Sequence, residues 1–330
     1  MNRSSEFDNI KGIMIFLVVL GHAISNLYKG YSNTFLTEYL YCLIFTFHMP
    51  VFVFVSGFFS KRHTEYATYV KKAISSCLIP YLLFNILYSL PSRSAVLNFL
   101  KPNWIMWYML SLFSWKILVE IVIRLKFPVV IAVFFSLYIG TIDSVGNYLS
   151  LLKTICFFPF FIAGYLTTTE QINKLKSKRV ILIPISSLTV IAVASFYTIF
   201  KLYTEFILPN SALFLDESYV KMKQSFVQGS SVRAVLLLAG FMGIIIFLSV
   251  SLKRESLLSM LGKNSVTIYL GHGFVIKYLK LQQIITIHNP ALFIIFAVFF
   301  SLLLCLVFGN NFVAKKYNSI MRKISSVVLS

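Results

Sequence analysis

"FDNIKGIMIFLVVLGH", residues 7 to 22, is an apolar segment that carries three side chains able to hold charge or a proton. The apolar run over 10–28 is long enough to cross about 30 Å of hydrocarbon as a helix. Asp8 and Lys11 lie at its beginning and His22 lies towards its far end. Ionisable groups are costly inside a bilayer and mark functional sites when they occur there. The segment therefore predicts a membrane-spanning helix with a polar face.

The rest of the chain has the same character. Of its 330 residues, 58% are hydrophobic and 12% are charged, and the mean hydropathy is +0.81. A soluble domain does not carry so much apolar surface, so the sequence predicts an all-α, polytopic membrane helix bundle without a separate soluble domain. One transmembrane domain is expected over 1–330. Its ten spans are predicted near 10–28, 41–60, 74–90, 104–123, 127–142, 150–167, 181–200, 233–252, 264–281 and 291–313.

The positive charges predict the orientation of these spans. The net charge is +19, and 19 of the 30 Lys and Arg residues fall in the N-terminal segment and in alternate connections. Those connections are 61–73, 124–126, 168–180, 253–263 and the tail 314–330. Basic residues concentrate on the cytoplasmic side of membrane proteins, so both termini are predicted to be cytoplasmic. The charge thus indicates topology and contact with the lipid bilayer, and no nucleic acid partner is expected.

Helical geometry places the polar side chains of the first span on one face. The eleven steps from Lys11 to His22 bring these side chains within about 20° of each other around the helix axis. Asp8 precedes Lys11 by one turn, so an ion pair between them is geometrically reasonable. His22 lies about 16 Å deeper than Lys11, past the middle of the bilayer. Because histidine titrates near neutral pH, His22 is the candidate general base.

Two more histidines fall inside predicted spans. His48 precedes the Met49-Pro50 break at a depth close to that of His22, so the two imidazoles are expected to face one cavity. His272 lies between Gly271 and Gly273, and a structural role and a functional role are both open for it.

Aromatic residues and cysteines complete the candidates. Trp107 and Tyr108 lie below the outer boundary of the fourth span, where stacking on a sugar ring and simple packing are both open. The cysteines occur singly in apolar segments and are predicted to pack in the interior, so no metal site is expected. They are Cys42, Cys77, Cys156 and Cys305.

Six segments between residues 7 and 275 form an ordered set. They are "FDNIKGIMIFLVVLGH" (7–22), "FTFHMPVFVFVSGFFSKR" (45–62), "LIPYLLF" (78–84), "WIMWYMLSLFSWKIL" (104–118), "FFPFFIAGYL" (157–166) and "LGKNSVTIYLGHGFV" (261–275). In this order they resemble the membrane-bound acyltransferase-3 family, in particular its branch similar to fucose 4-O-acetylases and capsular polysaccharide O-acetyltransferases.

The resemblance implies ten transmembrane helices and transfer of an acyl group, usually acetyl, from acetyl-CoA to a glycan hydroxyl. Acetyl-CoA would be a co-substrate, and no tightly bound cofactor is implied. The acceptor would be a cell-surface or capsular polysaccharide or its undecaprenyl-linked precursor. The location would be a cell membrane, most simply a bacterial plasma membrane.

Several residues here match the family's motifs. Its basic residue and the histidine eleven positions later match Lys11 and His22, and its histidine-methionine-proline segment includes His48. Many members have arginine where this chain has Lys11, and a lysine is a point charge that lacks the arginine fork. The basic pattern after the second helix corresponds to Lys61, Arg62, Lys71 and Lys72, which are candidates for binding the donor.

These residues permit acylation of a hydroxyl, and a transport function is left open as the alternative. Acylation of a hydroxyl needs a base for the proton and stabilisation of the oxyanion, and His22 is the candidate base. Asp8 is too far along the helix to contact His22 directly. Intramembrane histidines also suit a transporter or flippase for a lipid-linked glycan or polysaccharide. Another donor, such as succinyl-CoA, is also open.

Overall fold

A computed structural model describes residues 5–27, 34–90, 98–145, 148–203, 209–251, 253–282, 285 and 287–329. This part of the chain is mostly helical and contains no strand, which confirms the all-α prediction. Its α-helices are α1 Ser5–Leu27, α2 Phe35–Phe59, α3 Tyr66–Ala73, α4 Ile79–Ser89, α5 Trp107–Val122, α6 Pro128–Tyr138, α7 Leu151–Leu166, α8 Thr169–Ser177, α9 Arg179–Tyr203, α10 Asn210–Phe214, α11 Phe226–Val250, α12 Leu257–Lys263, α13 Ser265–Gln282, α14 Pro290–Phe308 and α15 Asn311–Val328.

Eight helical stretches of the described chain are long and apolar enough to cross a membrane. They are Ser5–Leu27, Phe35–Phe59, Tyr66–Ser89, Trp104–Val122, Tyr148–Leu166, Arg179–Tyr203, Phe226–Val250 and Pro290–Phe308. The remaining two predicted spans, the fifth and the ninth, correspond to the shorter Pro128–Thr141 and to α13. Each of the ten predicted spans thus overlaps a helical stretch, and their number as membrane crossings stays a prediction.

The chain divides into two compact units. Unit 1 comprises residues 1–55, 168–208 and 236–316, and unit 2 comprises 56–167, 209–235 and 317–330. The units are interleaved along the sequence, because α2, α11 and α15 each contribute residues to both.

In unit 1, α1 is a central helix that packs against α12, α13 and α14. The contact with α12 depends on two glycines. A Cβ atom at Gly12 would overlap the backbone carbonyl of Leu258, and one at Gly262 would overlap the carbonyl of Asp8. The two backbones therefore approach more closely than side chains would allow.

Polar contacts anchor the N-terminal end of α1. Glu6 is buried and accepts hydrogen bonds from Lys176 and Ser251. Asn9 donates to the carbonyl of Arg254 at 2.8 Å and accepts from Ser256 at 2.7 Å. The connections predicted at 168–180 and 253–263 thus contain helices, α8 and α12, which hold this end of α1.

Unit 2 is built around α5 and α7. The indole N–H of Trp115 donates to the carbonyl of Thr154 at 2.7 Å, and the hydroxyls of Ser111 and Thr154 are 2.7 Å apart. Before α4, the backbone forms a π-helical turn over Ile74–Leu78, which ends two residues before Pro80. Proline cannot donate to the carbonyl four residues earlier, and the wider turn accommodates that missing bond.

The four cysteines are buried and none forms a disulfide. The part of the chain that the structure describes contains no group of three or more His, Cys, Asp or Glu side chains placed to hold a metal ion.

Candidate functional site

Within unit 1, His22 lies on α1 with its ring against two aromatic neighbours. It is half-buried, whereas most residues around it on α1 are fully buried. The ring of His272 stacks on it with 5.6 Å between centroids and 22° between planes. Phe45 meets it edge-on at 6.1 Å. The ring is therefore oriented on two sides and retains some exposure.

His48 and His272 are held in the same way, by the backbone of their own helices. The Nδ1 atom of His48 is 2.7 Å from the carbonyl of Ile44, and that of His272 is 2.9 Å from the carbonyl of Ile268. A carbonyl oxygen can only accept, so Nδ1 carries the proton in each neutral ring. In both rings Nε2 is left as the atom with a lone pair.

Phe45 connects His48 to His22. Its ring lies 4.8 Å from that of His48 and 6.1 Å from that of His22. Helices α1, α2 and α13 thus bring together the histidine cluster, defined as His22, His48 and His272. The sequence predicted a common depth for His22 and His48 and left the role of His272 open between structural and functional. In the structure, the ring of His272 contacts that of His22.

Lys11 and Asp8 lie at the N-terminal end of α1, away from this cluster. Asp8 is 1% exposed and Lys11 is half-buried. Eleven residues of helix separate Lys11 from His22, about 16 Å along the axis, so neither Lys11 nor Asp8 contacts the His22 ring along α1.

In unit 2, Lys61 and Arg62 bind groups of the protein. The Nζ of Lys61 donates to the carbonyl of Thr167 at 2.5 Å, and burial lowers the pKa of this lysine. Arg62 pairs with Glu120 at 2.9 Å, and Glu120 also accepts from Tyr165 at 2.7 Å. Both basic side chains of the connection after α2 thus have structural partners, Thr167 after α7 and Glu120 on α5.

Lys71 and Lys72 differ from that pair. Both are exposed on α3, and their side chains have no partner in the described part of unit 2. They are available to bind an anion.

Trp107 and Tyr108 have different surroundings, although they are adjacent. Tyr108 is buried and its hydroxyl lies 2.7 Å from that of Ser56, so it is a packing residue with a satisfied hydroxyl. Trp107 is half-buried, and the Nζ of Lys153 lies 5.1 Å from its ring centroid.

Lys153 is the centre of a second cluster in unit 2. Its ammonium pairs with Asp216 at 3.2 Å and lies 5.8 Å from the ring centroid of Phe214. Burial raises the pKa of Asp216, and the nearby ammonium of Lys153 opposes that shift. We call Trp107, Lys153, Phe214 and Asp216 the Lys153 cluster.

Comparison with known proteins identifies the family. The sequence matches the acyltransferase domain over residues 4–310, nearly its whole length.

The chain belongs to the acyltransferase family.

Two curated relatives are similar to parts of this acyltransferase. Nodulation protein NolL of Sinorhizobium fredii is 34% identical over 102 residues, which are 30% of this chain and 28% of that protein. Nodulation protein NolL of Mesorhizobium japonicum is 43% identical over 60 residues, 18% of this chain and 16% of that protein. The matched stretches therefore span less than a third of either relative. No solved structure gives a significant match.

The acyltransferase has polar residues whose roles were not predicted. Lys153 lies at the edge of the predicted span 150–167, and the sequence signal for it is a charge in an apolar segment. Arg233 is buried in α11 and donates to the carbonyl of Ser136 at 2.9 Å. Its guanidinium also lies 4.6 Å from the ring centroid of Tyr219. These contacts hold the C-terminal end of α6, where free carbonyls favour a cation.

Proposed function

We propose that this acyltransferase moves an acetyl group from acetyl-CoA to a hydroxyl of a cell-surface polysaccharide or its lipid-linked precursor, with His22 as the general base. The observation that carries the proposal is the histidine cluster. The ring of His272 stacks on that of His22, and Phe45 lies between His22 and His48. His22 itself is half-buried and so retains a surface for a substrate.

The reaction needs one proton to be taken up and released. The acceptor O–H gives its proton to a neutral ring nitrogen of His22 while its oxygen attacks the thioester carbonyl carbon. The new C–O bond replaces the C–S bond, and the leaving thiolate of CoA takes the proton from His22. Stacking against His272 and the edge contact with Phe45 hold the base in orientation. A positioned base contributes about 10² to 10⁴ in rate.

The donor is assigned to the predicted cytoplasmic side. Lys11 is the first candidate for the phosphates or pantetheine of acetyl-CoA, with the pantetheine arm reaching into the bundle towards His22. The exposed Lys71 and Lys72 are further candidates for the phosphates. Lys61 and Arg62 are weaker candidates, because Thr167 and Glu120 already bind their charged groups.

The acceptor is assigned to the predicted outer side. Within unit 2, the Lys153 cluster has side chains of a kind that suits a carbohydrate. An aromatic ring can pack on a sugar face, a carboxylate accepts from sugar hydroxyls, and an ammonium donates to sugar oxygens. Lys153 and Asp216 are only partly buried, with 16% and 23% of their side chains exposed. Part of each side chain therefore remains exposed.

Comparing the surface polysaccharide with and without the gene tests this function. A deletion strain should make normal amounts of polymer that lack O-acetyl signals in proton NMR. Complementation with wild type or with His63→Ala, a variant of an exposed connection histidine, should restore them, and His22→Ala should not. Loss of the polymer itself in the deletion strain would instead favour transport of the glycan.

A further inference from the structure

One nitrogen of the histidine cluster has no hydrogen-bond partner in the described structure. The side chain of His272 is 0% exposed, and its Nδ1 is bound to the carbonyl of Ile268 at 2.9 Å. Its Nε2 is buried and receives no hydrogen bond from any described residue. Buried polar atoms are nearly always paired, so an unpaired one needs an explanation.

The bond to Ile268 decides what this nitrogen can do. Because a carbonyl only accepts, Nδ1 of His272 holds the proton and Nε2 of the neutral ring is an acceptor. An acceptor enclosed in apolar surroundings loses free energy until a donor reaches it. Its neighbours about one turn away on α13 include Ile268, Tyr269 and Ile276, which are all buried, and the ring of Tyr269 lies 6.0 Å from that of His272.

The position of His272 indicates where that donor comes from. Its ring stacks on the ring of His22 with 5.6 Å between centroids. A group within hydrogen-bond distance of Nε2 therefore lies beside the proposed base. A substrate bound for acyl transfer brings neutral O–H or N–H groups to this place, either as sugar hydroxyls or as pantetheine amides.

We infer that Nε2 of His272 accepts a hydrogen bond from a neutral O–H or N–H group of a bound substrate, and so positions that substrate against His22. The inference rests on the proposed function and adds a second substrate contact to it. His272 needs no change of protonation in this role, which separates it from His22.

Two amide variants separate the role of Nε2 from that of Nδ1. His272→Asn places an amide N–H near the Nδ1 position, where it can still donate to Ile268, and it has no atom at the Nε2 position. His272→Gln places an amide oxygen near the Nε2 position and loses the Nδ1 donor. Tyr278→Phe, at an exposed position of the same helix, is the matched control.

The purified variants are assayed for acetyl transfer with each substrate varied in turn. His272→Asn should lower kcat/KM roughly 3- to 10-fold, the size of one neutral hydrogen bond, and His272→Gln should retain more activity. A raised KM for the acceptor identifies a sugar hydroxyl as the donor, and a raised KM for acetyl-CoA identifies a pantetheine amide. A purely structural role predicts the reverse order of the variants, and that order would overturn the inference.

A measurement on the wild-type protein covers the case in which the variants do not fold. The chain has only 5 histidines, so selective ¹⁵N-histidine labelling gives a spectrum of few signals. The unprotonated Nε2 signal of His272 should shift when the acceptor or a non-reactive acetyl-CoA analogue is added. No shift with either would contradict the inference. An active His22→Ala variant would overturn the proposed base instead, whatever the result for His272.

Discussion

At the scale of single residues, the three rings of the histidine cluster are held in two different ways. His48 and His272 have the same backbone bond at Nδ1, with the proton fixed by a carbonyl of their own helix. His22 is oriented by ring contacts and is more exposed than either. Its greater exposure and its ring contacts support the proposal of His22 as the base, with the other two rings beside it.

Lys11 is predicted to contribute to donor binding. Lys11→Ala should raise the KM for acetyl-CoA by about 10-fold or more with a smaller change in kcat, because a bond to a phosphate is lost before chemistry begins. Lys11→Arg should restore most of the affinity. Steady-state kinetics at varied acetyl-CoA measures this, with the exposed Lys178→Ala as control. An unchanged KM in Lys11→Ala would remove the assignment.

Asp216 is predicted to make stability depend on pH. Because burial raises the pKa of this carboxyl above its ordinary value of 3.8, the folded protein holds the proton more tightly than the unfolded chain. That contribution to stability is present at low pH and is lost as the pH rises through the raised pKa. The melting temperature of Asp216→Asn relative to wild type should therefore increase between about pH 4 and pH 7. A decrease in this difference would mean that the nearby Lys153 lowers the pKa of Asp216 by more than burial raises it.

Sequence alone gave part of this residue-scale description. His22 and His48 could be found because a polar residue in a predicted span has a calculable depth. The stacking of His272 on His22 could not, since 250 residues separate them and only packing brings α13 to α1. The pairing of Lys153 with Asp216 likewise joins a helix to a distant connection.

At the scale of elements, α1 is the helix on which the site depends. It carries Lys11 and His22 and is bound along its length by α12, α13 and α14. The sequence predicted a span at this position. It did not predict α12, because the polar residues of 253–263 resemble a simple connection between spans.

Gly262→Ala is predicted to disturb the contact between α1 and α12. The added methyl group would overlap the backbone carbonyl of Asp8, so α1 must shift, and such overpacking costs about 1 to 3 kcal/mol. The melting temperature in detergent should fall, and activity should fall with it because α1 carries His22. Lys263→Ala, which removes only a surface ion pair with Glu255, should change both little. Equal melting temperatures for wild type and Gly262→Ala would contradict the close packing.

At the scale of the whole molecule, hydropathy predicted the positions of the helices better than it predicted the contacts of the candidate site. Apolar length alone identifies eight long helical stretches, because hydrocarbon excludes unpaired backbone groups and leaves the helix as the spanning structure. Pro128–Thr141 and α13 are less clearly membrane-spanning by length and hydropathy. The first is short, and α13 contains His272, Lys277 and Lys280, which lower its hydropathy. The division into two compact units had no signal in the sequence.

The orientation of the chain is a separate prediction at this scale. Ten crossings and the distribution of basic residues place both termini in the cytoplasm. Fusions of a fluorescent protein and of a periplasmic alkaline phosphatase to either end should give fluorescence and no phosphatase activity. Opposite results at the two ends would require an odd number of crossings, and either Pro128–Thr141 or α13 would then be the first segment to reconsider.

The most direct test of the central claim is the rate of CoA release by purified His22→Ala in the presence of acetyl-CoA and acceptor. The account predicts that this variant folds and binds acetyl-CoA with unchanged affinity, while the rate of transfer falls by about 10² to 10⁴. A folded His22→Ala protein that transfers acetyl groups at the wild-type rate would contradict the account.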